Sequence, residues 1–265
     1  MLPAKRRARI IELLRQEGAA SLRDMARALD ISLSTVRRDV DYLCQSGHLQ
    51  RTHGGAVMEA AALKSFEPEP EIASALASAE KRAIGERAAA LIQPGQTVIF
   101  DSGTTTGAAA LSARERSIPF TAVTNDLHIG DVLSANGAIH TTVTGGYVRP
   151  GSPTLIGAAA VRMLGQLRAD IAFVGTHAVA EELLWDTSTE LAEVKRTILD
   201  AADLVVLLAD SSKFAGSAFC TFGRLTDVDL VITDDGLKAE TADRIRALGV
   251  PVEVAVISPS LRPTP

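Results

Sequence analysis

The chain has 265 residues, of which 46% are hydrophobic, and it carries 27 Lys and Arg against 32 Asp and Glu for a net charge of −5. This composition is that of an ordinary globular protein that is long enough for two domains, and it excludes a disordered chain. No segment approaches a membrane span, and Glu12 interrupts the apolar run at Ile10–Leu14, so no signal-peptide core is predicted. We therefore expect a cytoplasmic protein that does not contact a membrane.

The charge is unevenly divided along the chain. Residues 1–55 contain 10 Lys and Arg against 6 Asp and Glu, whereas residues 56–265 contain 17 against 26. A small basic head therefore precedes a larger acidic body. A basic head is what a polyanionic partner such as a nucleic acid requires.

The head has the pattern of three short helices. The first stops at Gly18, and Ser21 caps the second, with Asp24 three residues later in a variant of the capping box. The third runs from about Leu33 to Ser46. Two short helices joined by a tight turn, with Ser, Thr and Arg at the start of the second, are typical of a helix-turn-helix.

Helix geometry selects the residues of the third helix that would face DNA. At about 100° per residue, Arg38 lies opposite the apolar stripe and Arg37 lies on its flank. Arg38 is therefore the candidate for reading a base, and Arg37 for holding a phosphate. The other candidates on this surface are Ser34, Thr35 and Tyr42. A solvated charged face is the alternative, because Asp39 and Asp41 follow directly and could neutralise the two arginines.

A hairpin follows the three helices. The segment His48–Val57 alternates and then turns at Gly54–Gly55, which predicts a small β-hairpin of the kind called a wing. Arg51 and His53 lie near its tip and are candidates for contact with the DNA backbone or minor groove. A single His in a turn is also commonly just exposed. The predicted DNA-binding domain spans residues 1–57.

An Ala-rich stretch containing Pro68 and Pro70 separates the head from the body. Proline cannot continue a helix, so residues 58–75 are predicted to be a linker, followed by a helix from about Leu76 to Ile92. The body, residues 76–260, then alternates between strand and helix, which predicts an α/β fold with a mostly parallel sheet and helices on both faces. The predicted strands are Phe120–Thr124, Ile139–Thr144, Ile171–Val174, Leu204–Ala209, Leu230–Thr233 and Val252–Ile257, and the predicted helices are Leu127–Ser134, Gly157–Leu167, Leu191–Ala202 and Lys238–Leu248.

The segment Thr97–Gly107 is the strongest local signal in the body. A buried strand, Val98–Phe100, opens into a loop of small and hydroxyl-bearing residues, and a helix is expected to start near Gly107. Gly103 would let the backbone approach a ligand, and the helix N-terminus would favour an anion such as phosphate. An ordinary strand-to-helix turn is the alternative.

Other polar residues also follow directly on predicted strands. Ligands in such folds lie outside the carboxyl ends of the strands, so these residues are expected to face one crevice. The threonine loop and Lys213 would hold a phosphate, and Asp101, Asn125 and Asp126 would bind hydroxyl groups of a polyol. Helix capping by Asn125 and Asp126 and a solvated Lys213 are the alternatives. The full candidate set that follows strands is Asp101, Ser102, Gly103, Thr104, Thr105, Thr106, Asn125, Asp126, Gly145, Gly146, Gly175 and Lys213.

These motifs together resemble one known family. The head strings LSTVRRDVDYL and RTHGGA, and the body strings DSGTTT, VTND, TGG, DIAFVG, EVKR and DSSKF in that order, are similar to the DeoR family of bacterial transcriptional regulators. The resemblance implies a winged helix-turn-helix and a sensor related in fold to ribose-phosphate isomerases and CoA transferases, which binds a phosphorylated sugar or related metabolite. It also makes Lys195 of EVKR an effector candidate, although Glu193 and Arg196 have the spacing of a surface pair. Leu183–Ser188 departs from the family pattern, so the effector's identity stays open.

The sequence therefore predicts a DNA-binding regulator, most simply a repressor of a carbohydrate operon, whose partners are a double-stranded operator and a phosphorylated sugar or polyol. The alternative is a sugar-phosphate isomerase or transferase that carries a DNA-binding head. The sequence contains no Ser/His/Asp set, metal motif, Walker loop or dinucleotide fingerprint, so no catalytic residue, metal or cofactor is predicted. Because one small head makes few base contacts, a homodimer or larger assembly is expected. The operator, the pathway and the sign of regulation stay open.

Overall fold

A computed structural model describes residues 1–58 and 69–257. The chain forms two compact units, one of residues 1–76 and one that begins at Ala77. We call the first unit the head and the second the sensor. No helix in the described ranges is long and apolar enough to cross a membrane.

The head contains the three predicted helices. Ser21 caps the second one by accepting a hydrogen bond from the backbone N–H of Asp24 at 3.1 Å, as the capping pattern predicts. Gly18 ends the first with a φ of 76°, a left-handed value that favours glycine. The helices are α1 (Pro3–Glu17), α2 (Leu22–Leu29) and α3 (Leu33–Gln45).

The predicted wing is present, and it belongs to a three-stranded sheet. The strands are β1 (Ala19–Ser21), β2 (Gln50–Arg51) and β3 (Gly55–Val57), in the antiparallel order β1-β3-β2. The sequence did not reveal β1, because three residues give too short a pattern. A Cβ at Gly55 would lie 2.0 Å from the carbonyl oxygen of Ala20, so only glycine allows β3 to pair with β1.

Part of the segment predicted as a linker is helical and belongs to the head. Helix α4 (Pro70–Ala75) begins at a proline, which is tolerated in the first turn because that N–H needs no helical partner. Ile72 is 1% exposed and packs with Leu76 into the head's hydrophobic core. Residues 59–68 of the predicted linker lie outside the described residues.

The sensor is built on a seven-stranded parallel sheet with the order β15-β14-β12-β9-β4-β5-β6. The prediction of an α/β fold with a mostly parallel sheet is confirmed. The strands of this sheet are β4 (Thr97–Phe100), β5 (Phe120–Thr124), β6 (Ile139–Val143), β9 (Ala169–Gly175), β12 (Ala202–Leu208), β14 (Leu230–Asp234) and β15 (Val252–Ala255).

Helices cover both faces of this sheet. On one face α5, α6 and α7 pack on side chains that include Val98 and Phe100, and on the other α8, α9 and α10 pack on a second core that includes Ile99 and Val123. Alternate residues of each strand therefore belong to opposite cores. The helices are α5 (Ser78–Ala89), α6 (Thr104–Glu115), α7 (Leu127–Ser134), α8 (Ala158–Leu164), α9 (Thr189–Asp200) and α10 (Ala239–Ala247).

Two small antiparallel additions were not predicted. The hairpin of β7 (Tyr147–Val148) and β8 (Leu155–Ile156) follows β6, and a three-stranded sheet has the order β10-β11-β13. Its strands are β10 (Ala178–Ala180), β11 (Leu183–Asp186) and β13 (Cys220–Arg224). Short 3-10 helices cover Ser211–Ala215 and Leu225–Asp227.

Candidate nucleic-acid interface and effector crevice

Hydroxyl groups organise the first turn of α3. Ser32 caps the helix by accepting a hydrogen bond from the backbone N–H of Thr35 at 3.2 Å. Its hydroxyl also lies 3.0 Å from that of Ser34 and 2.8 Å from that of Thr35. Ser34 is exposed and Thr35 is half-buried, so both remain on the surface where the sequence places them.

Asp39 in α3 is engaged with α1. It is only 2% exposed and forms ion pairs with Arg6 and with Arg7, whose Nε lies 3.2 Å from Asp39 Oδ1. This buried carboxylate therefore ties the middle of α3 to the first helix. It is not available to neutralise the arginines beside it.

Arg37 and Arg38 are exposed on α3. Asp41, the other acid that could neutralise them, pairs instead with Arg51 of β2. The side chains of Arg37 and Arg38 form no ion pair or hydrogen bond with any residue in the described ranges. Arg37 and Arg38 are thus two solvent-exposed cations on the helix that the sequence pattern predicts to contact DNA.

Tyr42 makes contacts inside the head. Its hydroxyl donates to the carboxylate of Glu69 at 2.6 Å, just before α4, and the guanidinium carbon of Arg7 lies 3.4 Å from the centre of its ring. The hydrogen bond to Glu69 raises the pKa of Tyr42 above its usual value. The predicted DNA contact by Tyr42 therefore competes with a contact that joins α3 to the segment before α4.

The two wing residues predicted to contact DNA, Arg51 and His53, have different surroundings. Arg51 is exposed but is paired with Asp41. His53 is exposed in the turn, where Thr52 N–H donates to the carbonyl of Gly55 at 3.1 Å.

In the sensor, three predicted residues meet at the ends of β4 and β9. Asp101 is fully buried, and its Oδ2 accepts from the ammonium of Lys195 and from the backbone N–H of Gly175 at 3.0 Å. Lys195 Nζ also donates to the carbonyl of Gly175 at 2.9 Å. Sheet order explains this meeting, because β4 and β9 are neighbours and α9 packs over them.

Asp186 at the end of β11 is a member of this cluster that the sequence did not identify. Its Oδ2 lies 3.6 Å from Nζ of Lys195, which is itself 3% exposed. One buried ammonium therefore faces two buried carboxylates. Burial raises the pKa of Asp101, and the ion pair with Lys195 opposes that rise.

The threonines of the DSGTTT motif lie in a helix, not in a loop. Helix α6 begins at Thr104, three residues before the predicted start, and Gly103 precedes it with a φ of 131°. Thr106 is fully buried, and its hydroxyl donates to the carbonyl of Gly103 at 2.9 Å. Thr105 is also buried, as is Ser102, whereas Thr104 is half-buried.

Asp126 is a helix cap, which is the alternative that the sequence left open. Its Oδ1 accepts from the backbone N–H groups of His128 at 2.9 Å and Ile129 at 3.0 Å in α7. Burial raises the pKa of Asp126, and hydrogen bonds from these amides and from that of Gly103 oppose the rise. Asp126 therefore lies between the N-termini of α6 and α7.

Asn125 has a different environment from its neighbour. It is fully buried and its side-chain Nδ2 donates to the backbone carbonyl of Leu155 at 3.4 Å, while the backbone N–H of Leu155 donates to the backbone carbonyl of Asn125 at 2.7 Å. Asn125 does not cap α7.

The two glycines after β6 differ in how closely other residues approach them. A Cβ at Gly146 would lie 2.4 Å from the carbonyl oxygen of Ile156, and one at Gly145 would lie 3.5 Å from Cβ of Ala159. Gly146 also has a φ of 126°. Gly146 therefore allows the close approach of β8, whereas a side-chain Cβ at Gly145 would make only an ordinary van der Waals contact with α8.

Lys213 lies farther along the sheet than the other candidates. It sits in the 3-10 helix after β12, two strands from β4, and its ammonium has no ion pair within the part of the chain that the structure describes. Arg149, which the sequence did not single out, is half-buried and reaches the hydroxyl of Thr187 at 3.5 Å. No group of three or more His, Cys, Asp or Glu among the described residues is arranged to hold a metal ion.

A winged helix-turn-helix joined to an α/β sensor defines a DNA-binding transcriptional regulator. Residues 6–61 match the DeoR-like helix-turn-helix domain, and residues 76–235 match the DeoR C terminal sensor domain. The chain belongs to the DeoR family.

Curated relatives match along nearly the whole chain. The HTH-type transcriptional regulator GlpR of Haloferax volcanii is 33% identical over 95% of this chain and 98% of the relative. The glycerol-3-phosphate regulon repressor of Haemophilus influenzae is 32% identical over 89% of this chain and 91% of the relative. A solved structure, ribose 5-phosphate isomerase A of Methanocaldococcus jannaschii, matches at a TM-score of 0.37 and 18% identity over 51% of this chain and 53% of the other.

Proposed function

We propose that this protein represses a carbohydrate-metabolism operon and that a phosphorylated sugar or polyol modulates its operator binding. The observation that carries the proposal is the state of Arg37 and Arg38, which are exposed on α3 while each neighbouring acid is paired with another arginine. Exposed cations on a recognition helix are what binding to the phosphates and base edges of DNA requires.

The names of the relatives support this direction. One is a regulator with a helix-turn-helix and another is a repressor of a glycerol-3-phosphate regulon, a phosphorylated polyol by name. The same names support a regulator without enzymatic activity. Because its operator is cellular DNA, the proposed protein acts in the cytoplasm.

On the head, we assign Arg38 to a base edge and Arg37 to a phosphate. Ser34 and Thr35 at the start of α3 are assigned to the DNA backbone, because helix N-termini hold phosphates. Arg51 and His53 of the wing are assigned to the flanking backbone or minor groove. Two heads on a symmetric operator supply the base contacts that one head lacks, so we propose a homodimer or larger assembly.

On the sensor, we assign the phosphate to the first turn of α6. Gly103 and Thr104 begin this turn, and helix N-terminal amides favour an anion. Asp126 shares this end of the helix, so a phosphate would displace or share its hydrogen bond with the Gly103 amide. Lys213 would add a positive charge, and the buried pair of Asp101 and Lys195 would form the floor of the site.

The test uses the intact protein and DNA selected from a random duplex pool. Fluorescence anisotropy measures binding of the selected duplex with and without ribose 5-phosphate, glucose 6-phosphate, fructose 6-phosphate and glycerol 3-phosphate. We expect tight binding that falls steeply with salt and that at least one phosphate ester weakens.

The control variant is Arg246→Ala, because Arg246 is exposed in the sensor and is paired with Asp243. It should bind the duplex normally, whereas the double variant Arg37→Ala, Arg38→Ala should not. Turnover of any of the four esters, or equal DNA binding by the double variant, would contradict the proposal.

A further inference from the structure

Five buried side-chain polar atoms in the described part of the sensor lack a hydrogen-bond partner, and three of them follow directly on neighbouring strands. These three are Oδ1 of Asp101, Oδ1 of Asn125 and Oγ1 of Thr144, and none of them bonds to any residue in the described ranges. Asp101 and Asn125 are fully buried and Thr144 is 4% exposed. Buried polar groups in proteins nearly always have a partner, so three such atoms in one region call for an explanation.

The three atoms belong to residues at one level of the sheet. Phe100 of β4 pairs with Thr124 of β5, and Thr124 pairs with Val143 of β6. Asp101, Asn125 and Thr144 are the next residues along these three neighbouring strands. Adjacent strands lie about 4.8 Å apart, so the three residues form a row across the carboxyl ends of β4, β5 and β6.

All three side chains leave the sheet on the same face. Ile99 and Val123, two residues before Asp101 and Asn125, belong to the core under α8 and α9, and strand alternation repeats every second residue. Val143 lies on the opposite face, because a Cβ at Gly130 of α7 would lie 2.5 Å from its Cγ2. Thr144 therefore points to the face shared with Asp101 and Asn125.

The other half of the sheet is different at the same edge. After β12, Asp210 accepts hydrogen bonds from the backbone N–H and the hydroxyl of Ser212, and at the end of β14 Asp234 accepts from the backbone N–H groups of Ser211 and Gly236. Among the buried carboxylate and amide oxygens of the described residues, those without a partner follow β4 and β5. Thr141 and Thr233 also have unpartnered hydroxyls, but they lie inside their strands.

The chemistry of the row specifies its ligand. Oδ1 of Asp101 and Oδ1 of Asn125 can only accept hydrogen bonds, whereas the hydroxyl of Thr144 both accepts and donates. The other carboxylate oxygen of Asp101, Oδ2, is already paired with Lys195. The missing groups must therefore be donors, and they must be spaced along the row. We propose that Asp101, Asn125 and Thr144 form a hydroxyl-reading row that binds consecutive hydroxyl groups of a polyhydroxylated phosphate ester. This inference rests on the proposed function.

The β7–β8 hairpin contacts the row at Asn125. Leu155 of this hairpin exchanges two hydrogen bonds with Asn125, one of them through the Asn125 side chain. Two side chains of the hairpin also bond to residues outside it. The hydroxyl of Tyr147 in β7 donates to Glu190 of α9, and Arg149 in the turn between β7 and β8 donates to the hydroxyl of Thr187.

The test is isothermal titration calorimetry with a ladder of probes that carry increasing numbers of hydroxyl groups: inorganic phosphate, glycerol 3-phosphate, ribose 5-phosphate and glucose 6-phosphate. The main variant is Thr144→Val, which is nearly isosteric and removes only the hydroxyl. We expect it to bind the tightest ester about five- to tenfold more weakly, the usual effect of one lost hydrogen bond, while its affinity for inorganic phosphate stays unchanged. Asn125→Leu should behave in the same way.

Two control variants complete the design. Thr144→Ser keeps the hydroxyl and should retain the affinity of the wild type. Thr233→Val removes a similarly buried, unpartnered hydroxyl from β14, outside the row. It should change neither the affinity for the ester nor the affinity for inorganic phosphate.

The outcomes separate this inference from the proposed function. If no ester binds the wild type, both are overturned. If an ester binds and weakens operator binding but Thr144→Val keeps full affinity for it, only the row is overturned, and its polar atoms bind water alone. If Thr144→Val loses inorganic phosphate as well, the row does not read hydroxyl groups.

Discussion

The charges of α3 in the head and those around Lys195 in the sensor are arranged in opposite ways. Arg37 and Arg38 stand in water on α3, while Lys195 is enclosed by Asp101 and Asp186. In the proposed function DNA approaches α3 from outside, so cations that are already exposed would contribute directly to its binding. In the sensor the charge of Lys195 is offset by two carboxylates before any ligand arrives, so in the proposed site the amides of α6 and Lys213 would hold the phosphate.

A buried carboxylate is present in each unit, and the comparison shows what each one does. Asp39 is held by Arg6 and Arg7 of α1, and it fixes the position of α3 in the head. Asp101 is held by Lys195, yet its Oδ1 has no partner in the described part of the chain. A buried acid with both oxygens engaged supports the fold, whereas one with a spare oxygen is suited to a ligand.

Removing the enclosed ammonium gives the largest expected effect. Lys195→Met leaves Asp101 and Asp186 buried without a counter-charge, and breaking a buried pair from one side typically costs about 3–5 kcal/mol of unfolding free energy. The measurement is urea denaturation followed by the fluorescence of Trp185, which is the only tryptophan and therefore reports on the sensor.

Lys213→Met is the matched control, because Lys213 is half-buried and has no ion pair among the described residues. It should change the unfolding free energy by less than about 0.5 kcal/mol. A loss below about 1 kcal/mol in Lys195→Met would mean that the sensor does not depend on this pair.

The stabilities of the two units should respond differently to acid. Burial lowers the pKa of His48 in the head to about 4, with smaller and opposed effects from Glu69 and Arg15. Below pH 6.5 the unfolded chain binds more protons at His48 than the folded chain, so the head loses stability as the pH falls from 6.5 to 4. At 1.36 kcal/mol per pKa unit, the loss reaches about 3 kcal/mol.

The raised pKa values of Asp101 and Asp126 act with the opposite sign in the sensor. The folded sensor holds these protons at a higher pH than the unfolded chain, so these two groups favour the folded state on acidification. Circular dichroism records both units and Trp185 fluorescence records the sensor alone. In His48→Gln the stability of the head should change less between pH 6.5 and pH 4. If the change with pH stays the same as in the wild type, the loss of stability is due to another group.

The arginines of α3 should show a smaller and more selective effect. Arg38→Ala should relax specificity at one base pair of the operator and cost about 1–3 kcal/mol of binding free energy there. Arg37→Ala should weaken all duplexes alike and reduce the salt slope by about one. Anisotropy with single-base operator variants measures both. The same loss of specificity in both variants would contradict the division between base and phosphate contacts.

The pattern of the sequence predicted the elements that have a clear period. The strand Phe120–Thr124 and the helix Leu127–Ser134 have the predicted bounds, because alternation and a cap mark them. The hairpin of β7 and β8 was not predicted, since two-residue strands have no period. The prediction of a linker over α4 was wrong because proline was taken to exclude a helix. Pro70 lies in the first turn of α4, where a helix tolerates proline.

The site was only partly predictable for a physical reason. Residues that follow strands, such as Asp101 and Asn125, are brought to one edge by the sheet, and the sequence locates them. Asp186 and Arg149 reach the crevice from antiparallel additions whose register no local pattern reveals. Tyr42 was assigned to DNA from helix geometry alone, which does not include Glu69, a partner 27 positions away in the chain.

Substitution of Tyr42 should have the smallest effect on operator affinity. It distinguishes a tyrosine that contacts DNA from one whose hydroxyl only joins α3 to Glu69. Tyr42→Phe keeps the ring beneath the guanidinium of Arg7 and removes only the hydroxyl that donates to Glu69. If this hydroxyl joins α3 to the segment before α4, operator affinity should stay within about 0.5 kcal/mol of the wild type, as for other surface changes away from a binding site. Glu69→Gln, which changes the acceptor instead of the donor, should match it. A loss of base specificity in Tyr42→Phe but not in Glu69→Gln would return the tyrosine to the DNA interface beside Arg38.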